Sequence, residues 1–191
     1  PETPTTIYLY ENYKCSNLKP ALSLRLPDQK TEIYSAITHS LHKPNIEIFR
    51  AHSPKAVATI TFHSFSATDI SFTNGAGDVS LKNEGTLHRD YVFHFGGQEY
   101  HWTGHHTGRG SGGDMKLVDA KGTMIAVYEL AVNTTSATKQ GKFSVLVGRL
   151  SEEVLEVVLA TAIAILGKEK KQASQAGMVG DAGGAIASVV S

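Results

Sequence analysis

The chain has 191 residues, a length that ordinarily makes one domain with a substantial core, and its Lys+Arg 18 stand against Asp+Glu 18. With an isoelectric point near 7.6, bulk charge gives no reason to expect a polyanion such as duplex DNA as an obligatory partner, so any anion site must be a local patch. Cys15 is the only cysteine, which excludes an intrachain disulfide and a multi-cysteine metal site and fits a reducing, cytoplasmic compartment.

Pro1–Lys14 shows no basic start, apolar core and small-residue cleavage site in succession, so no secretory leader is read there. Short runs of apolar period two follow, the mark of half-buried strands. They fall at Ile7–Tyr10, Leu22–Leu26, Glu32–His39, Ile46–Arg50, Ala56–Phe65 and Asp69–Phe72, then at Tyr91–Phe95, Glu99–Thr103, Met115–Asp119, Met124–Ala131 and Lys142–Val147. Leu22, Leu24 and Leu26 share one face and Arg25 takes the other. Turn chemistry separates the runs, as in Leu26-Pro27-Asp28, Lys43-Pro44-Asn45, Ser53-Pro54, Asn74-Gly75-Ala76-Gly77, Phe95-Gly96-Gly97 and Lys121-Gly122. Asn133-Thr134-Thr135 spells a glycosylation sequon and is read as a polar turn. Many short strands at this spacing imply a sandwich or a barrel.

Val154 to Gly167, VLEVVLATAIAILG, breaks the pattern, with only Glu156 and Thr161 interrupting the apolar run. A helix apolar all round must be buried in protein or lipid, and about fourteen residues fall short of the roughly 20 that a bilayer span needs. No transmembrane span is therefore expected. Ser151 suits the N-cap, Glu152 and Glu153 oppose the positive end of the helix dipole, and Lys168, Lys170 and Lys171 the negative end. Gly167 is the expected C-terminal cap, with the lysines as an alternative extra turn. A closed antiparallel barrel wide enough to need filling can admit such a helix. The expected fold is thus mainly β: a closed antiparallel barrel around a buried hydrophobic C-terminal helix at about residues 151–168, in one domain over 1–171. Residues 172–191, rich in Gly, Ala and Ser, are read as a loosely attached tail, with a docked or partly helical segment as the alternative, and Ala185–Val190 could pack on a neighbour.

The densest polar stretch is Glu99-Tyr100-His101-Trp102-Thr103-Gly104-His105-His106, with Arg109 beyond it. A metalloprotease helix needs Glu beside the first His, where Trp102 stands, so no metal is expected. A metal-free set of His101 or His105 as general base with Glu99 and Arg109 could move a proton and stabilise phosphorane charge. The alternative is an exposed loop, with His105 and His106 solvated and His101 alternating with a buried Trp102. Gly108 to Gly113 spells G-x-G-x-x-G, but a strand follows where a dinucleotide site needs a helix. His39, His42, His52, His63, His88 and His94 are scattered singly and read as structural.

Gly97-Gln-Glu-Tyr100-His-Trp102, Lys116-Leu117-Val118-Asp119, Met124-Ile125-Ala126-Val127-Tyr128 and the terminal apolar helix together resemble the tubby C-terminal-like superfamily. The likeness is to its fungal members first, and more distantly to phospholipid scramblases and LURP-one-related proteins. It covers Tyr91 to Gly167 and implies a barrel of about twelve strands around the helix. Animal tubby members bind phosphoinositides through basic surface residues; no matching basic motif is present here.

Three functions remain in view. The leading expectation is a non-enzymatic binding module, peripheral at membranes, that holds an anionic lipid head group or another phosphate-bearing ligand with a patch built from Arg109, Lys116, Lys121, Lys139 and Lys142. The alternative is a His-dependent hydrolase, most plausibly a ribonuclease, using His101, His105, Glu99 and Arg109, and only this reading makes nucleic acid a partner. The third is a structural or interaction protein. No cofactor is implied by any of them.

Overall fold

The computed structural model describes residues 5–13, 20–39, 42–63, 67–75, 77–84, 89–104, 113–131, 139–146 and 150–186. Among the described residues, twelve strands precede one helix. The first six are β1 (Thr5–Tyr13), β2 (Pro20–Arg25), β3 (Glu32–Thr38), β4 (Ile46–Arg50), β5 (Ala56–Phe62) and β6 (Ala67–Phe72). The second six are β7 (Asp78–Asn83), β8 (Arg89–Phe95), β9 (Gln98–Gly104), β10 (Met115–Asp119), β11 (Met124–Leu130) and β12 (Lys139–Val145), and α1 (Glu152–Ile186) follows. Every strand pairs antiparallel with its sequence neighbours, and β1 meets β12 in the register Thr5↔Val145 to Tyr10↔Lys139, so the sheet closes on itself. Closure removes the unpaired edges that an open sheet would present.

One strand, β7, escapes the sequence pattern because only Val79 and Leu81 are apolar in it. Both are buried while Asp78, Ser80 and Lys82 are exposed, a strict period of two on a short segment. Outward positions on β6 and β7, including Asp69 and Ser71, are polar and exposed, the reverse of the apolar outer band of a membrane-spanning barrel. Among the described residues, no helix is long and apolar enough to cross a membrane.

The two ends of the barrel differ. At one end the connections are short turns: Gly96 and Gly97, with φ 59 and 74, join β8 to β9 in the two-residue form that matches strand twist. Asp119 accepts from the N–H groups of Lys121 and Thr123 at 2.9 and 2.8 Å to fix the turn before β11. At the other end the β9–β10 and β11–β12 connections run from Gly104 to Met115 and from Leu130 to Lys139, and α1 emerges there.

Ser151 caps α1, its Oγ accepting from Val154 N–H at 3.3 Å, and the next turns enter the barrel. Val157 to Ile165 are no more than 2% exposed at any position, so the all-round apolar stretch is the barrel's filling. Both polar interruptions are used. Glu156 accepts from Arg50 Nε at 2.7 Å, Asn74 Nδ2 at 2.7 Å and Tyr34 Oη at 3.2 Å, tying the helix start to the turn end of the barrel. Thr161 accepts from Trp102 Nε1 at 2.9 Å and donates to the carbonyl of Val157, so it satisfies the indole in an otherwise apolar interior.

The expected helix end is corrected. Gly167 takes no left-handed conformation, and α1 runs through it and into the expected tail as far as Ile186. Lys168-Glu169-Lys170-Lys171-Gln172-Ala173 is a run of strong helix formers, which outweighs one glycine. Of the segment Ala185–Val190, residues 187–190 lie outside the described residues, as do Cys15 and the sequon.

Ile163 lies at 0% exposure in the middle of the buried stretch. Ile163→Asp is expected to abolish cooperative unfolding in denaturant titrations, and Ile163→Val to cost about 0.5–1.5 kcal/mol; a folded aspartate variant would contradict the packing. Burial, then the charges of Glu156 and Glu152, push the Tyr34 phenol above its ordinary 10.0. Because the folded pKa is raised, its stabilising contribution is complete below pH 10 and is lost as pH rises beyond it. The melting temperature should therefore fall above pH 10, and fall less in Tyr34→Phe; identical alkaline slopes would show that folding does not raise the Tyr34 pKa.

Candidate functional site

Where α1 leaves the barrel it is pressed against one wall and stands off from another. A Cβ on Gly167 would come within 2.7 Å of Ile46 Cδ1 and 3.2 Å of Phe62 Cζ, so glycine here permits close approach to β4 and β5. Beside that contact, towards β1, β2, β11 and β12, lies a cavity of about 500 Å³, within the usual range for small-molecule sites.

Its walls are apolar. Leu9 comes from β1, Leu22 from β2, Ile46 from β4 and Phe62 from β5; Tyr128 and Leu130 face them from β11, and Leu166 from α1. The rim is polar and solvent-exposed at Lys170, Lys171 and Ser174. Glu11 occupies the inward parity of β1 with Ile7 and Leu9, and its side chain is only 9% exposed. One carboxylate oxygen of Glu11 pairs with Lys170 Nζ and the other accepts from Gln140 Nε2 at 3.2 Å. Lys171 Nζ lies 5.8 Å from the centroid of the Phe62 ring, a cation over the apolar wall.

His39 also lines the cavity, from the end of β3. Its side chain is 7% exposed and its Nε2 is 2.7 Å from Glu47 Oε2. An ionised carboxylate only accepts, so Nε2 carries the hydrogen and Nδ1, which makes no hydrogen bond, is an acceptor in the neutral ring. His42 packs on the same ring at 4.3 Å between centroids.

The residues expected to carry chemistry fall elsewhere. Glu99 and His101 do meet, at 2.9 Å, and His94 reaches the other Glu99 oxygen at 3.2 Å. The hydrogen bond with His101 holds the Glu99 carboxyl below its usual range. This cluster sits on the outward face of β8 and β9, since Trp102 takes the inward position, while His105, His106 and Arg109 lie outside the described residues. Among the described residues, no group of three or more His, Cys, Asp or Glu is placed to hold a metal ion.

The expected cations are not drawn together. Lys142 pairs with Glu129 at 2.9 Å, and that carboxylate raises its pKa. Lys116 is exposed on the outer face of β10, whereas Lys121 sits in the β10–β11 turn at the end away from the cavity, a span of roughly 17 Å along the strand. Arg109 and the side chain of Lys139 lie outside the described residues. The cations at the cavity are Lys170 and Lys171, which the sequence pattern assigns to a helix terminus that does not exist. An acid at an inward strand position, Glu11, is the one signal that points to them beforehand.

Gly167→Val tests the close approach. A β-branched side chain must displace Ile46 and Phe62, and denaturant titration should show a loss of about 1–3 kcal/mol. A gain, as expected for replacing an exposed helical glycine, would mean the helix does not touch this wall.

Comparison with known families matches residues 19–171 to a Family of unknown function (DUF6593). No curated protein and no solved structure matches the chain. The matched span takes in β2 to β12, the buried part of α1, and the rim lysines Lys170 and Lys171. The chain belongs to this family of unknown function.

Proposed function

We propose that the chain is a non-enzymatic binding module for an amphipathic ligand with an anionic or phosphate-bearing head, seated at the mouth where α1 leaves the barrel. The observation that carries this reading is the cavity: apolar walls, about 500 Å³, and two lysines at the solvent-exposed rim. Apolar lining with a few convergent polar groups is the usual composition of a small-molecule site. The mouth supersedes the outer wall as the place of binding because Lys142 is neutralised by Glu129 and Lys116 stands apart from Lys121. The closed barrel around an apolar helix also supports kinship with tubby-like proteins, and anionic lipid remains the ligand class that kinship favours.

A second reading rests on the Glu99 carboxylate between His94 and His101. A carboxylate that orients an imidazole is the arrangement of a general base. It is ranked second because His94 is 70% and Glu99 41% exposed, where water competes for every charge.

Cosedimentation with phosphatidylcholine vesicles carrying a phosphoinositide tests the first reading. Binding is expected at low ionic strength, with loss at raised salt and in Lys171→Glu. Absence of binding to vesicles and to dispersed anionic amphipaths alike would remove the proposal. Cleavage of single-stranded RNA that disappears in His101→Ala would put the hydrolase in its place.

A further inference from the structure

We infer that Asn74 is a site of spontaneous covalent modification, deamidation to aspartate and isoaspartate, and that the change withdraws one of the polar contacts that set the depth of α1 in the barrel. Asn74 and Gly75 stand exposed in the turn between β6 and β7. Gly75 carries φ 88, and a Cβ built on it would meet nothing within 4 Å, so the backbone nitrogen that follows the Asn74 side chain lies in open space with no side chain beside it. In the reaction that nitrogen attacks Asn74 Cγ. The new N–Cγ bond closes a succinimide ring, the Cγ–Nδ2 bond breaks, and ammonia leaves with the proton given up by the Gly75 N–H. Water, the one other reactant, then opens the ring at either carbonyl and leaves a carboxylate at position 74, as aspartate or isoaspartate.

The amide that is lost is one the fold uses. Thr73 ties the start of the turn to β5, its N–H donating to the Val57 carbonyl at 2.9 Å and its Oγ1 to the Ala56 carbonyl at 2.8 Å, which holds the next residue over the start of α1. There Asn74 Nδ2 donates to Glu156 Oε2 at 2.7 Å, and the Glu156 side chain is 2% exposed. Arg50 Nε and Tyr34 Oη serve the other oxygen, Oε1. Among the described residues, Asn74 is the donor to Oε2. A carboxylate in its place has no hydrogen to give and sets acceptor against acceptor at the contact itself. Two ionised carboxylates so placed repel, and the buried one is left short of a partner. Isoaspartate loses the same donor. The contact of Thr161 with Trp102 is untouched, so the modified chain stays folded with its helix less firmly anchored at the start.

Incubation of the full chain at mildly alkaline pH, with peptide mapping by mass spectrometry and thermal melting of the same samples, tests both parts. Asn74 should convert while the chain is folded. A second melting transition about 3–12 °C below the first should grow with the converted fraction. Asn74→Asp should show the lower transition without incubation, and Asn74→Gln, whose longer side chain closes the ring far more slowly, should not change on incubation. The drop caused by Asn74→Asp should be much smaller in a Glu156→Gln background, where an amide faces the new carboxylate. If Asn74→Asp does not fold, the incubated unaltered chain decides. Absence of conversion at Asn74, conversion without a lower transition, or an equal drop from Asn74→Asp in both backgrounds overturns the inference.

Discussion

A closed barrel of twelve strands encloses more space than its own inward side chains fill, and everything else in this protein follows from how that space is occupied. The filling is α1. Its buried turns alternate large with small residues, Leu159, Ile163 and Ile165 beside Ala160, Ala162 and Ala164, so the helix packs against walls on every side without a polar face. Neither part is stable in this form alone. The helix without the barrel exposes an unbroken apolar surface, and the barrel without the helix is an empty apolar tube. Closure joins β1 to β12 across nearly the whole described chain and the helix follows last, so the contacts that hold the interior are long-range in sequence.

An apolar rod in an apolar tube has no preferred depth or rotation unless polar groups assign one. Glu156 and Thr161 do so. Glu156 reaches Arg50, Asn74 and Tyr34 at the turn end, and Thr161 meets Trp102 near the middle of the buried stretch. With two points fixed, Gly167 is brought onto Ile46 and Phe62, and the opposite wall is left uncovered. The candidate site is in that sense a product of the packing register of the helix. A helix shifted by a residue would lose both hydrogen-bonded keys and would present a different side chain to the wall where glycine is needed.

Local features of this fold are legible in the sequence and long-range ones are not. Strand alternation in Ile46–Arg50 and Met115–Asp119 places those elements to the residue, because their apolar positions repeat at period two between clear turn signals. With only two apolar residues, β7 falls below that threshold. The burial of α1 is legible because a polar face is missing, but its end is not, since Gly167 reads equally as a cap and as a point of close approach; only Ile46 and Phe62, far away in sequence, decide between them. The strand count of about twelve comes from family resemblance and not from periodicity. The site is the least legible part. Glu11 and Lys170 are 159 positions apart, and the pairing of Lys142 with Glu129 depends on strand register, so neither the cavity nor the failure of the outer cations to gather can be read locally.

The middle of α1 is enclosed by the barrel while residues 170–174 are exposed. Native-state hydrogen exchange read by mass spectrometry compares the two within one helix. Amides of residues 157–165 should exchange only through global unfolding, with the same free energy as the strands, and those of residues 171–174 should exchange faster by orders of magnitude. Equal, rapid exchange along the whole helix at conditions where the strands stay protected would show that α1 is not the core of this barrel.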